Sequence, residues 1–381
     1  MKRVYLDNAA TTPLRPEVIE ALTPYLNEHF GNPSSIHAEG RKVRAAIESA
    51  RKVVAQTIQA SIGEIFFTSG GTEANNMALH CSVRDLGVRR IISSPIEHHC
   101  ILHTLEGLAH SSDLEVEFLS VDGQGRIDPE ELRQKLTASS EKTLVSLMHA
   151  NNEIGTMIDI DLIASICHEA GVLFHSDTVQ TIGHFPIDVN KTPISFLSGG
   201  AHKFHGPKGC GFIYINNENM VHPFIVGGGQ ERNMRGGTEN VYGIVGTAAA
   251  LQLMNKHLDA DIRHIRALRD SFRKHLTEEF EDVTFNGDID GSALYTVLNV
   301  SFPATERSDM LLLSLDIAGI SASGGSACSS GAESQSHVLK AIGADPKRKA
   351  IRFSFSAMNT LDEILFSIEK LKELIPAATH A

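Results

Sequence analysis

From about residue 40 to 260 the chain alternates helix-periodic stretches with short apolar runs closed by turn residues. In RKVRAAIESARKVVAQTI (41–58) and DLIASICHEAG (161–171) apolar side chains recur every three or four positions, the spacing that lays one stripe of a helix on a core. EIFFTS (64–69), RIISSP (90–95), TLVSLMHA (143–150), GVLFHSD (171–177), ISFLS (194–198) and GCGFIYI (209–215) are short, and several are nearly continuous in apolar residues. That is the pattern of strands covered on both faces. The alternation predicts an α/β domain built on a mainly parallel sheet. A long helical stretch follows over about 240–281. Beyond it, ALYTVLNVSF (293–302) and AIRFSFSA (350–357) read as strands between the helices SDMLLLSLDIAG (308–319) and DEILFSIEKLKEL (362–374), which predicts a smaller α+β lobe. The turn-rich start is too short to fold alone and should dock on that lobe. We therefore place a large domain at 16–257 and a small one at 1–15 plus 258–381.

The 381 residues, 42% hydrophobic and 21% charged, suit a globular protein long enough to divide into two lobes with a cleft. Acidic residues outnumber basic ones, 46 to 34, for a formal charge of -12. Such a surface repels nucleic acid and anionic lipid and directs attention to small molecules or a basic protein partner. No apolar run approaches the roughly 20 residues that span a bilayer, and the opening MKRVYLDNAATT lacks the pattern of a signal peptide, so a cytoplasmic protein away from membranes is expected. The cysteines (Cys81, Cys100, Cys167, Cys210, Cys328) are odd in number and scattered, with no CxxC pair. Neither a disulfide framework nor a metal site is expected, and any special thiol must act alone.

Four segments carry candidate chemistry. In FTSGGTEANN (67–76) a strand feeds a Gly-rich turn and a helix beginning near Thr72, so backbone N–H groups and the helix end would face an anion such as phosphate. Taken singly, such a turn is also an ordinary connection. In GVLFHSDTVQ (171–180) Asp177 stands at a strand's carboxyl end, where ligands of open α/β sheets bind, with Gln180 three residues on. Lys203, in SGGAHKFHGPKGCG (198–211), follows another apolar strand beside His202 and His205, placed to condense with an aldehyde cofactor. A surface lysine is the commoner case, yet three strand ends that converge make a site. ISASGGSACSSGAESQSHVL (320–339) has no hydrophobic period and one cysteine, Cys328; it reads as an exposed loop, about 321–336, whose thiol is accessible. The other four cysteines are assigned to packing.

On these residues, and on YLDNAATTP, FGNPSSIH (30–37), IEHH (96–99), ANNEIGT (150–156), GGGQERNMRGGTEN (227–240) and IRFS (351–354), the chain resembles the cysteine desulfurases that supply iron-sulfur assembly, within the class-V aminotransferase type. The resemblance implies pyridoxal 5'-phosphate (PLP), a seven-stranded sheet in the large domain, and L-cysteine as substrate. It implies Lys203 as the residue that bonds the cofactor and takes the α-proton, Asp177 on the ring nitrogen, and His98, rather than His99, stacked on the ring. Gln180 and Asn152 would meet the ring's oxygen side, while Gly71, Thr72 and His202 would bind the phosphate, joined by Thr238 of a neighbouring subunit in a homodimer. Arg352, with Asn32, would hold the substrate carboxylate. Cys328 would take the sulfur as a persulfide, leave alanine, and pass the sulfur to an acceptor such as an iron-sulfur scaffold or the machinery of tRNA thiolation. A selenocysteine lyase or an aminotransferase of the same fold remains open at this point.

The chain departs from the family pattern at Gly200, where a serine of the phosphate cradle is usual; losing one neutral donor costs on the order of 1 kcal/mol, which Ser198 is expected to offset in part. Ser356 and Ala357 replace a Gly-Arg pair after IRFS, and AESQSHVL follows the cysteine motif where Leu-Glu-Pro-Ser is common.

Overall fold

The computed structural model describes residues 3–304, 308–324 and 336–375. Twelve strands are named in chain order: β1 (Val4–Tyr5), β2 (Ile65–Thr68), β3 (Arg90–Ser93), β4 (Glu115–Phe118), β5 (Thr143–Ser146), β6 (Leu173–Asp177), β7 (Phe196–Gly200), β8 (Gly211–Ile215), β9 (Thr284–Asn286), β10 (Val297–Phe302), β11 (Ile320–Ser321) and β12 (Lys349–Ser354). Strands β2 to β8 form one sheet in the order β2-β8-β7-β6-β5-β3-β4. β8 runs antiparallel to both neighbours and the other pairs are parallel, so β2, β3, β5, β6 and β7 end on the same edge. β2, β3, β5, β7 and β8 are buried along their whole length, as their unbroken apolar runs require.

Local chemistry sets the helices on this sheet. The helix α1 (Pro16–Asn27) opens with proline at its first position. α2 (Ala38–Thr57) is capped by His37, whose ring accepts the Gly40 N–H, and it buries Val43, Ile47, Ala50 and Val54. α3 (Gly71–Arg84) starts directly from the glycine turn after β2, and α4 (His99–Ser111) is capped by the His98 ring. Asp128 caps α5 (Pro129–Thr137) and Asp159 caps α6 (Ile160–Glu169). Helices α1 and α5 and strand β4 were not singled out from the sequence pattern. β4 is only half-buried at the sheet edge and carries the weak alternation EVEF.

The smaller sheet is antiparallel, in the order β12-β10-β9, while β1 pairs in parallel with β11. The N-terminal strand thus docks on the small lobe as expected: Val4 donates to Gly319 O and Leu6 to Ser321 O. One continuous helix, Val241–Glu279, joins the lobes. Its first half buries Ile244, Leu251 and Met254 in the core of the large sheet. Its second half buries Ile265, Leu268, Phe272 and Leu276 against Phe302, Phe353 and Phe355. The core changes hands between Met254 and Ile265, inside an unbroken helix. Among the described residues no helix is long and apolar enough to cross a membrane.

Candidate active site

The five strand ends that share an edge surround a cavity of about 250 Å³. β6 delivers Asp177, β7 delivers His202 and Lys203 through the single turn Ala201–Lys203, β2 delivers Gly71 and Thr72, and the segments after β3 and β5 deliver His98 and Asn152. Gln180 and, from the small lobe's β12, Arg352 complete the wall. All nine were named from the sequence. Because they follow five different strands or cross from the other lobe, only the sheet topology brings them together.

Hydrogen bonds fix the polar groups in place. Asp177 accepts the Val179 N–H at Oδ1 (3.0 Å) and the Asn75 amide at Oδ2 (2.7 Å). Lys203 Nζ donates to the carbonyls of Ala9 (2.6 Å) and Ala10 (2.8 Å), so the DNAATT turn that follows β1 forms a wall of the cavity. The Gln180 amide reaches the same Ala9 carbonyl at 3.1 Å. His98 Nδ1 accepts the Cys100 N–H at 3.1 Å, which leaves the proton of the neutral ring on Nε2. Burial lowers the His98 pKa, Asp177 opposes that shift, and Lys203 adds to it. His202 is pushed down to about 4, by burial first and then by Lys203 and Lys208. It is neutral near pH 7, with Nδ1 3.2 Å from the Thr11 hydroxyl.

Other expected residues stand elsewhere. Asn32 is exposed and closes its own turn, its Oδ1 accepting the Ser34 N–H at 2.9 Å; it does not line the cavity. This chain's Thr238 lines a separate cavity of about 230 Å³ with Glu231 and Arg235. Gly200 borders the cradle: a Cβ there would lie 3.3 Å from Val179 and 3.6 Å from the Gly71 nitrogen. Ser198 does not replace the missing hydroxyl, because its Oγ is wholly buried against His175 Nε2 at 3.2 Å. His99 lines a groove between α3 and α4, not this cavity. Cys328 lies outside the described residues.

The structure adds participants that the sequence reading passed over. Cys100, assigned to packing, lies in the cavity wall, and burial next to Asp177 raises its thiol to about 12. Its position directly after IEHH, at the start of α4, was the available signal. Asn75 was part of a quoted motif, but the helix register that turns it onto Asp177 appears only in three dimensions.

A family model described as aminotransferase class-V matches residues 4–365. The chain belongs to this class-V family. It is 44% identical over 383 residues to the cysteine desulfurase IscS of Dictyoglomus turgidum, which covers 98% of this chain and 95% of that one. A solved NifS-like protein superposes with a TM-score of 0.90 at 36% identity, covering 98% of this chain and 99% of that one. A structure of SspA in complex with cysteine matches with a TM-score of 0.81 at 32% identity, over 94% and 100% of the two chains. As a class-V enzyme the chain is PLP-dependent. Its cavity suits that group: Asn75 Oδ1 and Arg352 Nε are buried polar atoms without partners in residues of its wall.

Proposed function

We propose that this class-V enzyme is a cysteine desulfurase that converts L-cysteine to L-alanine and passes the sulfur, through a persulfide on Cys328, to an acceptor protein of iron-sulfur cluster assembly. The observation that carries this reading is the convergence of Lys203, Asp177, His98 and Arg352 on one cavity. Relatives named cysteine desulfurase IscS support the choice of reaction. When bound, PLP supplies an aldehyde for amine capture and an electron-withdrawing ring that weakens bonds at the α-carbon.

The chain's own groups do the rest. Thr72, Gly71 and His202 would hold the phosphate at the start of α3, and Asp177 would accept a hydrogen bond from the ring nitrogen. The free amine of Lys203 is held by the Ala9 and Ala10 carbonyls in the cavity wall, where it would take the α-proton and return one at carbon. His98, a neutral ring with its proton on Nε2, lines the cavity where it would pack against the cofactor and could exchange a proton with the substrate. Arg352 grips the substrate carboxylate. Cys328, as thiolate, attacks the substrate sulfur: an S–S bond forms, the C–S bond breaks, and the carbon left behind is protonated to give alanine.

The working unit is a homodimer in the cytoplasm, with domains at 16–257 and at 1–15 plus 258–381. The placement of Thr238 away from its own cavity supports a role in the neighbour's phosphate site. A mechanism that needs reduced thiols suits a reducing compartment. Replacing Cys328 by serine tests the reading: sulfide release from L-cysteine in the presence of a reductant should vanish while the cofactor's visible absorbance stays. Release at the original rate would overturn the role of Cys328, and a keto acid as main product would favour transamination.

A further inference from the structure

We infer that Asp7 is a positioning residue for the carboxylate clamp, holding Arg352 as a charge-balanced donor that lets go of a carboxylate product as readily as it accepts a carboxylate substrate. The inference rests on the reading of Arg352 as the substrate's carboxylate site.

Arg352 is only 1% exposed. Its Nη1 donates to Asn152 O at 2.9 Å and its Nη2 pairs with Asp7 Oδ1 at 2.8 Å. Among the described residues, Asp7 is the one carboxylate within salt-bridge distance of this guanidinium. Nε has no partner, although the side chain lines the cavity. Asp7 is itself fixed, since the same Oδ1 accepts the Ser323 hydroxyl at 2.8 Å and its backbone bridges to Ser354. Ser323 in turn pairs through its backbone with Arg352, which closes a ring of three residues.

A buried guanidinium without a counter-charge is costly. Asp7 removes that cost in the empty site, so an arriving carboxylate gains hydrogen bonds at Nε and the remaining N–H groups but little net charge attraction. Without the negative charge at position 7 the empty site would rise in energy, and every carboxylate would be held more tightly. Substrate and product share this carboxylate. Tighter binding of both lowers KM without helping the reaction and slows release of alanine.

Asp7→Asn keeps an oxygen acceptor for Arg352 and Ser323 while it removes the charge. Calorimetric titration of the holoenzyme with L-alanine should show binding about tenfold tighter than in the unmodified protein, with KM and kcat for L-cysteine falling together. Unchanged or weaker alanine binding at an unaltered melting temperature would overturn the inference. Ser323→Ala, which leaves Asp7 with one donor fewer and a stronger hold on Arg352, should weaken alanine binding; tighter binding there counts against the inference even if Asp7→Asn fails to fold. Arg352→Lys is run alongside and should weaken alanine binding markedly. Full affinity in that variant would remove the reading of Arg352, and with it this inference, whereas loss there with no change in Asp7→Asn would overturn the role of Asp7 alone.

Discussion

Asn75 donates its amide to Asp177 Oδ2 at 2.7 Å, and the same nitrogen lies 3.2 Å from the Cys100 sulfur. With the Val179 N–H on the other oxygen, both carboxylate oxygens are held before any ligand arrives. Charge-assisted hydrogen bonds of this kind are worth about 1.5–3 kcal/mol. Asn75→Ala should therefore loosen Asp177 and speed the loss of PLP on dialysis by about tenfold, followed through the visible absorbance. Retention equal to that of the unmodified protein would show that Asp177 needs no such partner.

The glycine at 71 makes a sharper steric prediction. A Cβ there would sit 2.4 Å from Val179 Cγ2, and the Val179 backbone is bonded to Asp177. Overpacking of this sort costs about 1–3 kcal/mol, so Gly71→Ala should lower PLP affinity at least about tenfold, and Val179→Ala in the same protein should restore most of it. At Gly200 the same test atom lies 3.3 Å from Val179. Gly200→Ser should therefore bind PLP better when combined with Val179→Ala than alone, as measured by cofactor titration.

Much of this site was legible because its residues lie in local motifs with a local reason: a glycine turn before a helix, an acid at a strand end, a lysine after a strand. What the sequence hid was the partner of each residue. Asp7 and Arg352 are 345 positions apart and meet only because β1 docks beside β11 and β12. Cys100 read as a packing residue because its helix is amphipathic, yet α4 starts at the cavity, so its first turn belongs to the site. The joining helix itself carries no local mark of the handover, since it keeps its apolar period while it passes from one core to the other between Met254 and Ile265. Strand β4 escaped notice because an edge strand lacks the dense apolar run of its central neighbours.

The loop that carries Thr238 is braced by a buried ion pair. Arg51 holds Glu231 through two contacts of 2.6 and 2.9 Å, and Glu231 also accepts the Phe67 N–H at 2.8 Å. Glu231, Arg232 and Asn233 adopt φ angles of 44°, 56° and 65°, a left-handed run that non-glycine residues hold only when surroundings enforce it. Removing one partner of such a pair typically costs about 3–5 kcal/mol. Glu231→Leu should lower unfolding free energy by that order in urea titrations and, if Thr238 serves the neighbouring subunit, hasten cofactor loss from the dimer. An effect below about 1 kcal/mol would mean that the loop is held by other contacts.

Three buried histidines set the acid side of the stability profile. Burial lowers His149 and His184 to about 4 and His175 to about 3. Each ring stays neutral in the folded protein but takes a proton in the unfolded chain below about 6.5. Their contribution is complete above that value and is lost as pH falls toward 4, and for His175 toward 3, at about 1.4 kcal/mol per pH unit for each ring. Urea unfolding should show stability falling steeply between pH 6 and 4.5. A flat profile over that range would indicate that these rings are hydrated.

The central claim is that sulfur leaves L-cysteine at a cofactor held by Lys203 and arrives on Cys328. Mass spectrometry of peptides after brief exposure of the holoenzyme to L-cysteine measures this directly. The account predicts one added sulfur atom on the peptide bearing Cys328, and none when Lys203 is replaced by alanine. Alanine formed at full rate with that peptide unmodified, or with the sulfur on Cys100 instead, would contradict it.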